Sequence, residues 1–200
     1  MARRDKEDHL RIMAILLAGA VRKVFEKQGL KLTAKPILEK KPIIEFMRRM
    51  RIFGMEKFPT PTYIASVNFY LNKKEMEHHQ TFGVICLYVE QEYMARLIKL
   101  LQYPEIDEDD EEQLKDACGA LCNLISGQFR SDLSLMGYCE MEMSHFSSYR
   151  NSALMGVPFY FKLLEKYEIS FFIRNEKRVV MEVSMGPVPR QKKEEKKAFL

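Results

Sequence analysis

The stretch DACGALCNLISGQFR, residues 116–130, decides how this chain is read. Its apolar residues recur at helical spacing, yet it holds Gly119, Asn123 and Gly127. A glycine inside a helix costs roughly 1 kcal/mol relative to Ala, and Asn is a mediocre helix former because its amide competes for backbone hydrogen bonds. On a wheel of about 100° per residue, Leu114, Ala117, Cys118, Leu121, Leu124, Ile125 and Phe129 fall on one side, the face expected to meet a sheet. Asp116, Gly119, Ala120, Asn123, Gly127 and Arg130 fall on the other. Periodicity gives the glycines no role in the core. They leave a low strip with one amide standing in its middle. Such a strip admits close approach by another molecule, by another element of the same chain, or by a second subunit.

Around that helix the chain reads as one globular domain. It has 200 residues, 46% hydrophobic and 30% charged, enough to bury a core and too apolar for disorder. The net charge is +4, and the closing RQKKEEKKAFL, with five basic against two acidic residues, holds much of it. The body is therefore close to neutral. Nucleic-acid folds concentrate Lys and Arg with aromatics on one face, so no nucleic-acid partner is expected. The four cysteines, at 86, 118, 122 and 139, make no metal pattern, because Cys118 and Cys122 have no second pair or neighbouring His to complete a ligand set. They read as reduced, buried thiols in the cytoplasm.

The opening helix, about residues 5–28, carries Leu10, Met13, Ala14, Leu17, Val21, Val24 and Phe25 at helical spacing and stops at Gly29. Its apolar run is too short to span a bilayer, and Asp5, Glu7 and Asp8 make a poor start for a secretory signal. No membrane insertion is expected. Strands are expected in LKLTAKPILE, TYIASVNFYLN and TFGVICLYV, with EMEHHQ as a turn. Residues 40–62, rich in Pro and basic residues, read as an insertion or excursion from the sheet. EQEYMARLIKLLQY reads as a short helix, followed by the acidic PEIDEDDEEQL, in which Asp107 or Asp109 would cap the long helix. That helix is expected to end at Gly137. Four strands then follow, in YCEMEMSHF, LMGVPFYFKLL, YEISFFIRN and RVVMEVSM, the last two joined through NEK. The order predicts an α+β domain over residues 1–187, a largely antiparallel sheet with helices packed on one face, and a mobile polar tail over 188–200.

DACGALCNLISGQFRSDLSLMGY also resembles the signature helix of the CheX/CheC/FliY family, phosphatases of phosphorylated CheY-like response regulators in bacterial chemotaxis. The family pattern is Gly-Glu-x-x-Asn-x-Ile-x-Gly, followed by a leucine and a glycine. Gly119, Asn123, Ile125, Gly127, Leu133 and Gly137 match it. DHLRIMAILLAGAVRKVFEKQGLKL resembles the opening helix of the family, and GVICLYVEQEYMARLIKLLQ the strand and short helix before its acidic linker. The single signature helix is closest to CheX in layout.

The resemblance implies that this helix enters the active site of a phosphorylated receiver domain. Asn123 would orient a water for in-line attack on the aspartyl phosphate, with Asp116, Gly119, Ala120, Gly127 and Arg130 as the surrounding contact surface. It further implies a homodimer joined at sheet edges, a cytoplasmic location, and no cofactor of its own, Mg²⁺ belonging to the partner receiver. One departure stands out. The signature Glu, which pairs with a Lys of the receiver, is replaced by Ala120. Asp116 lies one turn earlier, about 6 Å along the axis, and is a poor copy of that Glu. The resemblance therefore leaves two functions open: a phosphatase, or a module that binds a receiver or another signalling partner without turnover. His78 and His79 read as solvated turn residues, and His145 beside its serines lacks an assignable acid for a triad.

Overall fold

The computed structural model describes residues 2–102, 106–107 and 109–191, with residues 2–8 as backbone only. The first helix, α1 (Ala2–Lys27), buries the whole apolar stripe from Leu10 to Phe25. Gly29 ends it at φ +82°, where a side chain would be strained. The expected strand after it is shorter than its sequence suggests. Pro36 has no N–H to give a ladder, and β1 (Ile37–Pro42) begins only beyond it.

The main sheet is antiparallel and seven-stranded. Its members are β1, β4 (Thr62–Tyr70), β5 (Gly83–Glu90), β6 (Glu142–Met143), β7 (Ser147–Arg150), β9 (Glu165–Ile173) and β10 (Glu176–Met185). The order is β1-β9-β10-β5-β4-β6, with β7 also on β4. The first of the four strands expected after α4 differs from the sequence reading: YCEMEMSHF supplies only the two residues of β6, and β7 lies just beyond it. The hairpin between β9 and β10 turns on Arg174 (φ +53°) and Asn175 (φ +64°), one step before the expected NEK. Both residues take the left-handed conformation that the tightest hairpin turn demands.

Strand alternation sends Tyr63, Ala65, Val67 and Phe69 of β4 and Ile85, Leu87 and Val89 of β5 to one face. There they meet α1, α3 (Gln91–Leu100) and α4 (Glu111–Leu135) in the larger core. The helices share one face, as expected.

The opposite face is not open to solvent. Residues 40–62 are no mere excursion: β2 (Glu45–Phe46) and β3 (Arg49–Phe53) join β8 (Ser152–Pro158) in a second sheet, order β2-β3-β8. Met50, Ile52, Phe58, Ala153, Val157 and Phe159 cover Ile64, Val84, Cys86, Tyr88 and Val180 of the main sheet. The expected strand in LMGVPFYFKLL is therefore β8 and belongs to this second sheet. Under the same cover lies an ion cluster. Glu182 Oε1 stands 2.6 Å from Lys57 Nζ and 2.7 Å from Lys166 Nζ, close ion pairs rather than well-angled hydrogen bonds. The Tyr88 hydroxyl donates to its other oxygen at 2.7 Å. Glu168 pairs with Lys57 and, at 2.7 Å, with Lys41.

Three smaller features also differ from the sequence reading. EMEHHQ contains a short helix, α2 (Lys73–Glu77), capped by the Asn72 side chain, which accepts from Glu75 N at 3.0 Å. The start of the expected tail is tied down: Val188 is buried, Cys139 N donates to Pro189 O at 2.8 Å, and Gln191 N donates to Gly137 O at 2.8 Å. The rest of that tail, 192–200, lies outside the described residues, as do Pro104, Glu105 and Glu108 of the acidic linker. Among the described residues no helix is long and apolar enough to cross a membrane.

Candidate functional site

Helix α4 is fixed at both ends and along its inner side. The capping residue is Asp110, not Asp107 or Asp109; its carboxylate accepts from Glu112 N at 2.9 Å and Gln113 N at 3.1 Å. Gln113 Nε2 also donates to Asp110 Oδ2 at 2.8 Å, a side-chain bond that steadies the capping carboxylate. These bonds, from Gln113 first, hold the Asp110 carboxyl below the usual carboxylate range. Among several acids in a row, the one that caps is the one whose backbone is extended where the helix starts. The far end closes as expected at Gly137 (φ +79°), where Tyr138 N bonds Leu133 O at 3.1 Å and Gly137 N bonds Ser134 O at 3.0 Å. Lys23 of α1 reaches Asp132 at 2.6 Å, Phe129 meets Phe69 of β4 edge-on, and Arg150 of β7 pairs with Glu111.

The buried arc of α4 is rotated from the one periodicity suggests. Leu114, Ala117, Cys118, Leu121, Ile125 and Phe129 are buried as expected, and Cys122, Ser126 and Leu133 join them. Leu124 does not; it is 42% exposed, beside Asn123. A wheel records the period of a helix but not which neighbours stand at the margins of its inner face. Burial pushes the Cys118 and Cys122 thiols well up, so both are neutral and inert, as packing thiols are.

On the outer side the two glycines part company. A Cβ on Gly119 would run into the ring of Phe146, which precedes β7 and lies across the helix. Gly119 is therefore buried, and its smallness is used inside the chain. This corrects the idea that neither glycine serves internal packing. A Cβ on Gly127 would meet nothing within 4 Å. Asp116, Asn123 and Arg130 are exposed, and Ala120 and Gly127 are half-buried. Arg130 leans back to offer Nη1 to Met141 O at 3.4 Å, a long bond. The Asn123 side chain makes no hydrogen bond to any described residue. The open strip thus runs from Asp116 through Ala120 and Asn123 to Gly127 and Arg130, with Leu124 along one margin and Phe146 walling off Gly119 on the other.

A free amide on a rigid helix can do limited but useful chemistry. Its oxygen accepts and its nitrogen donates, so it can hold and aim a water; it cannot take up a proton or bind a metal alone. Among the described residues no three His, Cys, Asp or Glu side chains stand together to hold a metal ion. Sequence reasoning missed Leu124 as a surface residue and Phe146 as a wall. The only trace of Phe146 is an aromatic in an otherwise polar HFSSY run.

Comparison with solved structures bears on the fold that carries this helix. The chemotaxis protein CheX from Desulfovibrio desulfuricans superposes with a TM-score of 0.56 at 18% identity, over 86% of this chain and 98% of that one. FliY from Thermotoga maritima gives 0.58 at 12% identity, over 92% and 90%. A CheC-like protein from Shewanella gives 0.51 at 15%, over 86% and 95%. The chain has the CheX/CheC/FliY fold. At these identities the likeness speaks for the fold alone. No family model matches the sequence, and no curated protein does.

Proposed function

We propose that this protein docks the open strip of α4 onto a phosphorylated, CheY-like receiver domain in bacterial chemotaxis or a related two-component system, and promotes hydrolysis of its aspartyl phosphate. What supports the reading is Asn123: an exposed amide without a side-chain hydrogen bond to any described residue, on a helix packed against its neighbours, one turn from a glycine with empty space above it. Inserted beside the phosphoryl group, the Asn123 oxygen accepts a hydrogen bond from a water and sets it in line. The water oxygen forms the new bond to phosphorus, the bond to the receiver's aspartyl oxygen breaks with its electron pair leaving on the carboxylate, and the water's proton passes to the phosphate. Such a reaction needs positioning and charge stabilisation more than covalent help. Mg²⁺ held by the receiver would supply much of the charge stabilisation. The same reading carries a cytoplasmic location and a homodimer joined at a sheet edge, β1 being one such edge.

Ala120 favours a second reading, a receiver-binding module without turnover. With no carboxylate at this position, a receiver lysine is left unpaired in the interface. Removing one partner of a desolvated pair costs about 2–5 kcal/mol, roughly thirty-fold to several-thousand-fold in rate or affinity. Phosphate release from an aspartyl-phosphorylated receiver with Mg²⁺ separates the two. The enzyme reading requires acceleration by the native chain, lost in Asn123→Ala and raised in Ala120→Glu. Binding without acceleration selects the module. Neither binding nor acceleration by any of the three chains removes both.

A further inference from the structure

A cleft of about 740 Å³ opens in the layer remote from α4. It lies between the tip of the β2–β3 hairpin, the connection from α2 to β5, and the residues that follow β8, and no residue of α4 lines it. Its walls are of two kinds. The first is cationic: Arg48, Arg49 and Lys162, with His79 also in the lining. None of the three permanent cations has an ion-pair partner among the described residues. The one carboxylate in the lining, Glu75, already accepts from Leu71 N at 3.2 Å. Arg49 is held in place by two 3.2 Å bonds from Nε and Nη2 to Gly156 O, which leave Nη1 uncommitted.

The second is a run of rings, and Lys162 belongs with it as well. Phe82 and Tyr160 lie 5.1 Å apart between centroids, Tyr160 and Phe161 6.1 Å, and Phe161 is 62% exposed. Lys162 Nζ rides over the last two rings, at 5.9 and 5.8 Å. The Thr81 hydroxyl is buried by the protein itself and has no hydrogen-bond partner among the described residues, so it offers no contact to a molecule in the cleft. The hairpin tip adds a further sign. Met47 (φ +49°) and Arg48 (φ +60°) both take the left-handed conformation, where Asn-Gly would be the cheap choice. Strained positions of this kind gather at ligand sites.

These features ask for different things from one ligand. Unpaired cations call for an anion of more than one charge, best met by phosphate. The half-buried Tyr160 ring and the exposed Phe161 ring call for a flat body to cover them. A simple anion would leave the rings wet, and an apolar molecule would leave the cations unmatched. The volume falls within the range of small-molecule sites. We propose that this cleft binds a nucleoside diphosphate, its phosphates among Arg48, Arg49 and Lys162 and its base on Tyr160 and Phe161. This is independent of the reading of α4.

Titration calorimetry of the full chain with ADP, GDP and, separately, pyrophosphate tests it. Saturable binding of ADP or GDP at one site per chain is expected. Arg48→Glu and Lys162→Glu should each weaken it about tenfold or more, the order of a charge-assisted hydrogen bond. Phe161→Ala should weaken nucleotide but leave pyrophosphate unaffected, and Asn123→Ala should change neither. All these side chains are exposed, and unchanged melting temperatures show that the variants are folded. Absence of saturation at millimolar ADP and GDP overturns the proposal. So does nucleotide affinity indifferent to both charge reversals, or pyrophosphate binding as tightly as nucleotide.

Discussion

The two faces of the main sheet are covered by different chemistry. Toward the helices the cover is hydrocarbon: α1, α3 and α4 set Leu, Met, Phe and Val against Tyr63, Val67, Ile85 and Met181. Toward the second sheet the cover is half apolar and half ionic, with Lys57, Lys166, Glu168 and Glu182 almost fully buried among Met50, Val157 and Phe159. Hydrocarbon packing asks only for volume and shape, so α4 can keep its inner side for stability and leave its outer side bare. A buried ion cluster asks for every member at once, because each charge out of water depends on the others. The helical face is thus where a surface can be spared for function, and the opposite face is where single changes should hurt most.

The largest expected effect follows from that contrast. Glu182→Ala takes from buried Lys166 the carboxylate it pairs with and leaves Lys57 to Glu168 alone, and should cost about 3–5 kcal/mol, read by chemical denaturation. A loss under 1 kcal/mol would mean that the cluster is wetter than its burial implies. The same cluster sets a response to pH. Burial works to raise the Glu182 and Glu168 carboxyls, but the lysines outweigh it and hold both below 4.5. Their contribution to stability is present above that value and is lost as the pH falls through the still lower folded values. Burial works to lower the Lys57 and Lys41 ammonium groups, but the glutamates hold both above 10.5. Their contribution is present below 10.5 and is lost as the pH rises through the higher folded values. Half-buried His9, lowered by desolvation, narrows the window on the acid side, and the buried Cys86, Cys118 and Cys122 thiols, raised by desolvation, narrow it on the basic side. Melting temperature should therefore hold steady between about 6.5 and 9, and fall further once the cluster itself titrates below about 4.5 or above about 10.5. In Glu182→Ala the acid fall should flatten.

Smaller effects belong to the helical face, and they separate the two glycines. Gly119→Leu drives a side chain into Phe146 and should cost about 1–3 kcal/mol, part of it recovered when Phe146→Ala is added. Gly127→Ala meets nothing and should stabilise the helix by about 0.5–1 kcal/mol, while weakening attachment to a receiver. Equal penalties at the two positions would erase the distinction between internal and external use of a glycine.

Legibility in the sequence follows the same division. The stripe of α1, its stop at Gly29, the closure of α4 at Gly137 and the pairing of the last two strands are written in local patterns, because hydrocarbon periodicity and left-handed glycines act over a few residues. Asn123 can be picked out for the same reason: an amide among small residues on the polar side of a periodic helix stands out. The second sheet is not readable in this way. IIEFMRRMRIFGMEKF mixes charge with hydrocarbon, and Lys57 is buried only because Glu168 and Glu182, more than a hundred residues on, come to meet it. The wall at Gly119 fails for a similar reason, since Phe146 arrives from beyond the end of α4. Leu124 counts as core by type, and only its lack of a neighbour puts it on the surface.

The most direct test is amide and side-chain chemical-shift mapping of the ¹⁵N-labelled chain with a Mg²⁺-loaded receiver activated by beryllium fluoride. Shifts are expected to gather at Asp116, Ala120, Asn123, Leu124, Gly127 and Arg130, the Asn123 side-chain NH₂ moving most, with the second sheet silent. Shifts confined to the second sheet, or none at saturating receiver, would contradict a docking role for α4.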